Sequence, residues 1–318
     1  MCDMFNARSI SADIIILCTP VRKAAASETP IIDISPIFSQ DSAARQTVAR
    51  EIHKAAYNNG FFYIKHQDMK TKTRTNANDP GSFNNDFRGP NTQNFNASEG
   101  IDILESYAVE YDPRMDSWVT NPSDVPAEAA HHCAPGGHPW EYTNNLPDFK
   151  NAMASYFREC LNLARALTRA FALSLDLVGD CFDDKVKFPE ASLTLNYFPP
   201  LEIEHPMQDN AGSLQVLTRG GQWIQAPPLD RTLVVNVTDH MQRMTYDKYV
   251  SAVHRARNAS GREKVSTPLF WGFGLNESCG VLDSCLDGGE KKYEEIKCLE
   301  WLELRSSYVL DIEKDQET

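Results

Sequence analysis

The second half of the chain is divided into short apolar segments, and this division limits the possible folds more than any other feature. Turn-forming residues separate the segments, for example at residues 218–221. Short strands with turns between them are typical of a jelly roll or a barrel. The segments that we predict as strands are residues 192–197, 213–217, 223–225, 233–237, 249–254 and 267–273.

The first half combines strands and helices. A strand at residues 30–34 precedes a helix that Asp41 caps, and Gly60 ends this helix. A second strand follows at residues 61–64, and a third at residues 103–111. Apolar residues then recur at helical spacing and predict a long helix at about residues 146–175 that faces a core. The recurring positions are Phe149, Met153, Phe157, Cys160, Ala164, Leu167 and Phe171. We therefore predict an α+β protein that is mainly β.

Composition divides the chain further. Residues 1–28 show no clear period and are predicted to form a loose N-terminal tail. Residues 29–178 form an N-terminal region, and their Asn- and Gly-rich part at 67–98 is expected to be a surface loop. The strands fall in a domain at 179–290. Residues 291–318 are expected to supply a closing helix and a tail, with the helix at about 291–306.

Charge and cysteine content limit the partners and the compartment. The formal net charge of −13 repels phosphate backbones, so we expect a small-molecule substrate and no nucleic acid. No apolar run is long enough to span a bilayer, so no membrane association is expected. The eight cysteines are scattered and form no CxxC pair, which predicts reduced thiols and a cytoplasmic protein.

Six segments together resemble one family. They are residues 28–35 (ETPIIDIS), 60–64 (GFFYI), 195–200 (LNYFPP), 214–217 (LQVL) with 222–224 (QWI), 235–239 (VNVTD), and 253–255 (VHR) with 264–268 (KVSTP). In this order they resemble the isopenicillin N synthase-like branch of the iron(II)/2-oxoglutarate-dependent dioxygenases. The resemblance extends over most of residues 28 to about 290. It implies a double-stranded β-helix core with flanking helices.

The resemblance also implies an iron site of two histidines and one carboxylate. His254 matches the distal histidine. His205 lies where the proximal histidine would begin its His-x-Asp motif, but no acidic residue stands two positions later. Asp209 is the nearest carboxylate downstream, and we retain it as the third candidate ligand. Glu202 and Glu204 are candidates upstream.

A second set of residues would bind the oxoacid. The family usually supplies Arg-x-Ser for the far carboxylate of 2-oxoglutarate, and this chain has Lys264 and Ser266. Lysine keeps the charge but offers no bidentate fork. Arg262 is an alternative cation. Phe198 takes the place of the family's tyrosine, and Tyr197 stands immediately before it.

The interval between Pro200 and Leu214 departs from the family. The family has a His-x-Asp strand and a further apolar strand here, so the jelly roll is expected to be incomplete in this strand region. Three interpretations remain open: a natural variant that uses His205, Asp209 and His254, a degenerate protein that binds iron poorly, and a sequence from which part of an exon is missing. We favour an active function that this chain represents imperfectly.

The sequence therefore predicts an iron(II)- and 2-oxoglutarate-dependent oxidoreductase that hydroxylates, desaturates or cyclises a small organic metabolite. By analogy with the family, a secondary-metabolite or small-heterocycle pathway is expected. The alternative is a catalytically degenerate member that acts as a binding protein. A third possibility is an oxidase that needs no oxoacid.

Overall fold

The structure is a computed structural model that describes residues 6–8, 13–15, 17, 19–66, 87–88, 105–130, 133, 140–200, 214–256, 262–286, 288 and 292–305. The helices are α1 (Ser42–Asn58), α2 (Ala127–Ala130), α3 (Phe149–Ser174), α4 (Asp239–Met244) and α5 (residues 298–305). Strands of the first half are β1 (Asn6–Arg8), β2 (Asp13–Ile15), β3 (Arg22–Lys23), β4 (Ile31–Asp33), β5 (Phe61–Lys65), β6 (Phe87–Arg88) and β7 (Glu105–Glu110). Strands of the second half are β8 (Glu190–Phe198), β9 (Leu214–Leu217), β10 (Trp223–Ala226), β11 (Leu233–Asn236), β12 (His254–Ala256), β13 (Lys264–Ser266), β14 (Leu269–Gly272), β15 (Ser278–Cys279) and β16 (Ile296–Lys297).

The first helix begins and ends where the sequence predicts. The Asp41 carboxylate accepts hydrogen bonds from the backbone amides of Ala43 and Ala44, which satisfies two free amides of the first turn. Gly60 follows the helix with φ of +67°. A Cβ at this position would lie 1.8 Å from the carbonyl oxygen of Val250, so only glycine fits.

Three of the sheets form the body of the protein. One has the order β12-β9-β10-β3, the second β11-β5-β4, and the third β13-β8-β7-β6 with β14 also paired to β8. The architecture is therefore α+β, as the sequence predicts. β3 falls in the segment expected to be a loose tail, yet it pairs in parallel with β10. The remainder of the predicted loop at 67–98, apart from β6, lies outside the described residues.

Helix α3 covers one face of the third sheet. Met153, Phe157 and Leu161 of the helix pack against Val109 and Leu193 of the strands. Further along the helix, Arg165 is 1% exposed, and its two terminal nitrogens donate to the two carboxylate oxygens of Asp116 at 2.8 and 2.5 Å. This helix therefore covers one face of the third sheet, and the opposite face is directed away from it.

The predicted strand at residues 249–254 is wrong in its extent. Only His254 of this segment belongs to a strand, because the preceding backbone amides bond to other elements. The amide of Val250 donates to the carbonyl of Ala56, and that of Ser251 donates to the Gln242 side chain. Tyr249 is fully buried. The segment is therefore a buried connection to β12.

Two further boundaries differ from the prediction. The residues that follow the strand predicted at 233–237 form the helix α4, and the Thr238 hydroxyl accepts a hydrogen bond from the amide of Met241 at its start. The closing helix is shorter than predicted, because Ile296–Lys297 pairs with Ser278–Cys279 before α5 begins. No helix within the described ranges is long and apolar enough to cross a membrane.

Candidate iron and oxoacid site

Strands β8, β13 and β14 share one continuous antiparallel register. Lys264 lies opposite Phe198, Ser266 opposite Asn196, and Phe270 opposite Ser192. Since successive side chains of a strand point to opposite faces, these six residues lie on one face of the sheet. Leu193 belongs to the other face, which packs on α3. The polar face is therefore directed away from α3.

Lys264 is half-buried on this face. Its ammonium nitrogen lies 5.1 Å from the centre of the Phe198 ring. Burial lowers the pKa of Lys264 below its ordinary value, because a desolvated ammonium group loses its hydration. A cation, a hydroxyl and the Asn196 amide on one face form a donor set that suits a carboxylate. Asn196 is not among the residues predicted from the sequence, although it lies two positions from Phe198 and therefore on the same face of the strand.

The register separates Tyr197 from this set. Tyr197 lies opposite Val265, which is 64% exposed, on the other face of the sheet. Its hydroxyl donates to the Glu263 carboxylate at 3.4 Å. Arg262 is exposed and precedes β13. Of the four predicted oxoacid-binding residues, Lys264 and Ser266 share a face, whereas Tyr197 points away from them.

His254 is the first residue of β12 and lies opposite Val216 of β9. Val216 packs with Phe61 in a core cluster, and the Phe61 ring stands edge-on to the imidazole at 5.1 Å between centroids. The Nδ1 atom of His254 donates to the carbonyl oxygen of Ala252 at 3.0 Å. This bond fixes the ring and leaves Nε2 as the atom with a lone pair for a metal.

The other two candidate ligands, His205 and Asp209, lie outside the described residues, as do Glu202 and Glu204. In the part of the chain that the structure describes, no three His, Cys, Asp or Glu side chains are grouped as a metal site would require. An imidazole with a fixed tautomer fits iron(II), which accepts nitrogen donors. Of the three predicted iron ligands, His254 is therefore the one whose surroundings the structure describes.

Comparisons with known proteins identify the family. Residues 206–272 match the model of the 2OG-Fe(II) oxygenase superfamily. The "2-oxoglutarate-Fe(II) type oxidoreductase ppzC" of Metarhizium rileyi is 46% identical, over 93% of this chain and 91% of that protein. An isopenicillin N synthase of Streptomyces jumonjinensis is 27% identical, over 79% of this chain and 86% of that protein. The chain belongs to the 2-oxoglutarate- and iron(II)-dependent dioxygenases, which confirms the resemblance and the two cofactors.

A solved structure shows the same fold. A Neurospora crassa protein, in complex with alpha-KG and thymine, aligns with a TM-score of 0.67 at 22% identity and covers 88% of this chain and 96% of that one.

The alignment with the Metarhizium protein runs over 343 positions, although it covers only 93% of the 318 residues. It therefore contains gaps opposite several tens of residues of that relative.

Proposed function

We propose that this protein oxidises a small organic metabolite by hydroxylation, desaturation or cyclisation, with Lys264 and Ser266 holding the oxoacid and His254 holding iron. The observation that carries the proposal is the common face of Lys264, Ser266 and Asn196. When bound, iron(II) and 2-oxoglutarate supply the activation of oxygen, coupled to loss of carbon dioxide from the oxoacid. The protein's part is to bind, orient and shield.

Lys264 supplies the charge that neutralises the far carboxylate of the oxoacid. Its partial burial excludes water, so the attraction is stronger than for an exposed lysine. Ser266 and Asn196 would donate hydrogen bonds that hold the carboxylate above this face of the sheet. Phe198 offers no hydroxyl here, and its ring borders the lysine.

His254 would supply one nitrogen ligand through Nε2. His205 and Asp209 are proposed as the remaining ligands. Arg262 is retained as a second cation near the start of β13. These three assignments rest on position in the sequence.

The sheets are proposed to form a double-stranded β-helix from which one strand region is missing. A jelly roll has eight strands, and β8 to β14 supply six if β13 and β14 are counted as one strand interrupted at Pro268. In the described part of the chain, β12 pairs only with β9, and β13 and β14 pair only with β8. The interval between β8 and β9 is where two further strands would enter. The alignment with the Metarhizium relative shows that this relative has several tens of residues without a counterpart in this chain.

A secondary-metabolite or small-heterocycle pathway is the proposed context. Isopenicillin N synthase and a protein solved with thymine are among the similar proteins. The proposed compartment is the cytoplasm.

Turnover of the oxoacid tests the proposal. Purified protein, reconstituted with iron(II) under nitrogen and then exposed to oxygen, should convert 2-oxoglutarate to succinate. His254→Ala should abolish this conversion and iron binding, whereas His66→Ala, which removes an imidazole elsewhere, should change neither. Succinate formation that is unchanged in His254→Ala would overturn the assignment.

A degenerate member that binds a metabolite without turnover is the second candidate. The residue two positions after His205 is Met207 and not an acid, which favours this candidate. Weak iron binding together with intact 2-oxoglutarate binding would select it. A transcript that encodes a His-x-Asp strand between Pro200 and Leu214 would select the active enzyme. If Lys264→Met left oxidation of the substrate unchanged, an oxidase without an oxoacid would be selected.

A further inference from the structure

A buried glutamine of α4 holds the backbone that leads to His254. The amide of Ser251 donates to the side-chain oxygen Oε1 of Gln242 at 2.6 Å, and Gln242 is 4% exposed. The next residue, Ala252, supplies the carbonyl oxygen that accepts from Nδ1 of His254. The glutamine contact therefore lies two peptide groups before the carbonyl that orients the imidazole.

Two neighbouring attachments of this segment are bonds between backbone atoms. The amide of Val250 donates to the carbonyl of Ala56 in α1 at 3.0 Å. The carbonyl of Val253 accepts from the amide of Leu217 in β9 at 2.8 Å. Gln242 attaches the segment through a side chain, so a substitution can remove this bond and leave the two backbone bonds in place.

Asp247 determines which way the amide group of Gln242 points. The Nε2 atom of Gln242 donates to Oδ1 of Asp247 at 3.0 Å. Burial alone would raise the pKa of Asp247, but hydrogen bonds from Lys292, from the glutamine and from Tyr293 outweigh it and lower the pKa. An ionised carboxylate only accepts hydrogen bonds, so it takes the nitrogen of the amide and leaves the oxygen for Ser251.

The C-terminal part of the chain holds Asp247 in place. The ammonium of Lys292 donates to Oδ2 at 2.7 Å, and the Tyr293 hydroxyl lies 3.0 and 2.9 Å from the two carboxylate oxygens. Tyr246 and Asp247 have φ of +54° and +64°, a left-handed conformation that costs energy for most residues and that Asp and Asn tolerate best. These bonds therefore stabilise the tight turn from which the chain runs to Ser251.

We propose that Gln242 is a positioning residue for the iron ligand His254, and that Asp247 sets the orientation of its amide. This inference rests on the proposed function, because it takes His254 as a ligand. The imidazole must present Nε2 in one direction, and that direction depends on where the Ala252 carbonyl lies. If Ser251 is released, this carbonyl can shift, and iron(II) binds less tightly although no ligand has been removed.

Gln242→Met tests the proposal, because methionine is unbranched and similar in length but offers Ser251 only a weak acceptor. The affinity of the full chain for iron(II) alone is measured by calorimetry under nitrogen. We expect binding to weaken about 10-fold, as for other groups that orient a metal ligand. Gln46→Met is the matched control and should bind iron(II) as the wild type does. Gln46 is also a helical glutamine, and its side chain donates to the backbone carbonyl of Leu173 at 3.3 Å.

A reversal of donor and acceptor tests for rescue. Gln242→Glu keeps an acceptor for Ser251 but brings a second carboxylate against Asp247, so alone it should weaken iron(II) binding. Adding Asp247→Asn lets the new asparagine donate to the new glutamate, and asparagine also tolerates the left-handed turn. The double variant should therefore recover most of the affinity, as expected for two coupled residues. A double variant that binds as weakly as Gln242→Met overturns the proposal.

A loss of general stability is separated by measuring the free energy of unfolding of each variant in urea. Phe157→Leu leaves a small cavity in the core beneath α3, in a cluster to which α4 does not contribute among the described residues. It should lower stability and leave the iron(II) affinity unchanged. If Phe157→Leu weakens iron(II) binding as much as Gln242→Met does, positioning is not the cause and the proposal is overturned.

His254→Ala distinguishes this inference from the proposed function. If His254→Ala loses iron(II) but Gln242→Met binds it as tightly as the wild type, the positioning inference fails and the proposed function stands. If His254→Ala itself binds iron(II) as the wild type does, the proposed ligand is wrong, and the inference fails with it.

Discussion

The imidazole of His254 and the ring of Phe61 meet edge to face, with 5.1 Å between their centroids. Phe61 is 2% exposed and comes from β5, far from His254 in sequence. The contact and the Nδ1 bond to Ala252 restrain the ring from two sides. A residue of the N-terminal half therefore positions a candidate iron ligand of the second half.

This contact predicts that Phe61→Leu weakens iron binding. The smaller side chain lets the imidazole rotate, and we expect a loss of about 10-fold in iron(II) affinity, within the range for groups that orient a metal ligand. Phe62→Leu is the matched control, because Phe62 is the next residue and packs against Phe171 on the opposite face. Equal loss of iron affinity in both variants would show that general destabilisation, and not positioning, is responsible.

This chain has Lys264 where the family usually has an arginine, so substitutions at this position should change the affinity for 2-oxoglutarate. Lys264→Arg should strengthen 2-oxoglutarate binding, because a guanidinium group can donate two parallel hydrogen bonds. Lys264→Met should weaken it by roughly 10- to 100-fold, the value of a lost charge-assisted bond. Titration calorimetry with Lys54→Met as a surface control measures both. Unchanged affinity in Lys264→Met would remove this residue from the site.

The buried pair of Arg165 and Asp116 predicts a large loss of stability. Both side chains are 1% exposed, so Arg165→Met leaves a buried carboxylate without its countercharge. We expect a loss of about 3–5 kcal/mol in the free energy of unfolding, measured with urea. Arg169→Met is the control, because its pair with Asp183 is partly exposed and should contribute less than about 1 kcal/mol. Similar losses in the two variants would contradict this.

His240 predicts a dependence of stability on pH. Its Nε2 atom is buried without a partner in the described structure, and its ring lies 5.8 Å from Trp301 of α5. Burial lowers the pKa of His240, and Arg243 lowers it further against the opposing effect of Asp239. The unfolded chain therefore binds a proton more readily, so stability should fall as the pH drops below about 6.5.

The measurement compares melting temperatures at about pH 7.5 and about pH 5.5, on either side of the ordinary histidine pKa. His240→Phe removes the titrating group and keeps a ring beside Trp301, so it should reduce the loss on acidification. His66→Phe serves as the control for removal of a histidine elsewhere. An acid-induced loss that is the same in His240→Phe and in the wild type would assign the effect to other groups.

Most elements could be predicted because their signals are local. Asp41 caps α1 through amides two and three residues away, and the apolar spacing of α3 reflects its own period. The segment at residues 249–253 was wrongly predicted as a strand, because its backbone amides bond to two helices and not to a neighbouring strand. The amide of Val250 bonds to Ala56 of α1, which is distant in sequence, and that of Ser251 bonds to Gln242 of α4. Apolar periodicity carries no information about such partners.

The chain by itself predicted the family and most of the core strands, and it suggested the proposed roles of His254, Lys264 and Ser266, since these depend on residue type and spacing. The tertiary structure decided which side chains share a face. The β8–β13 register brings Asn196 to Ser266 and turns Tyr197 away, and β5 brings Phe61 to His254. Cross-strand register is set by packing between segments distant in sequence, and a shift of one residue would exchange the two faces.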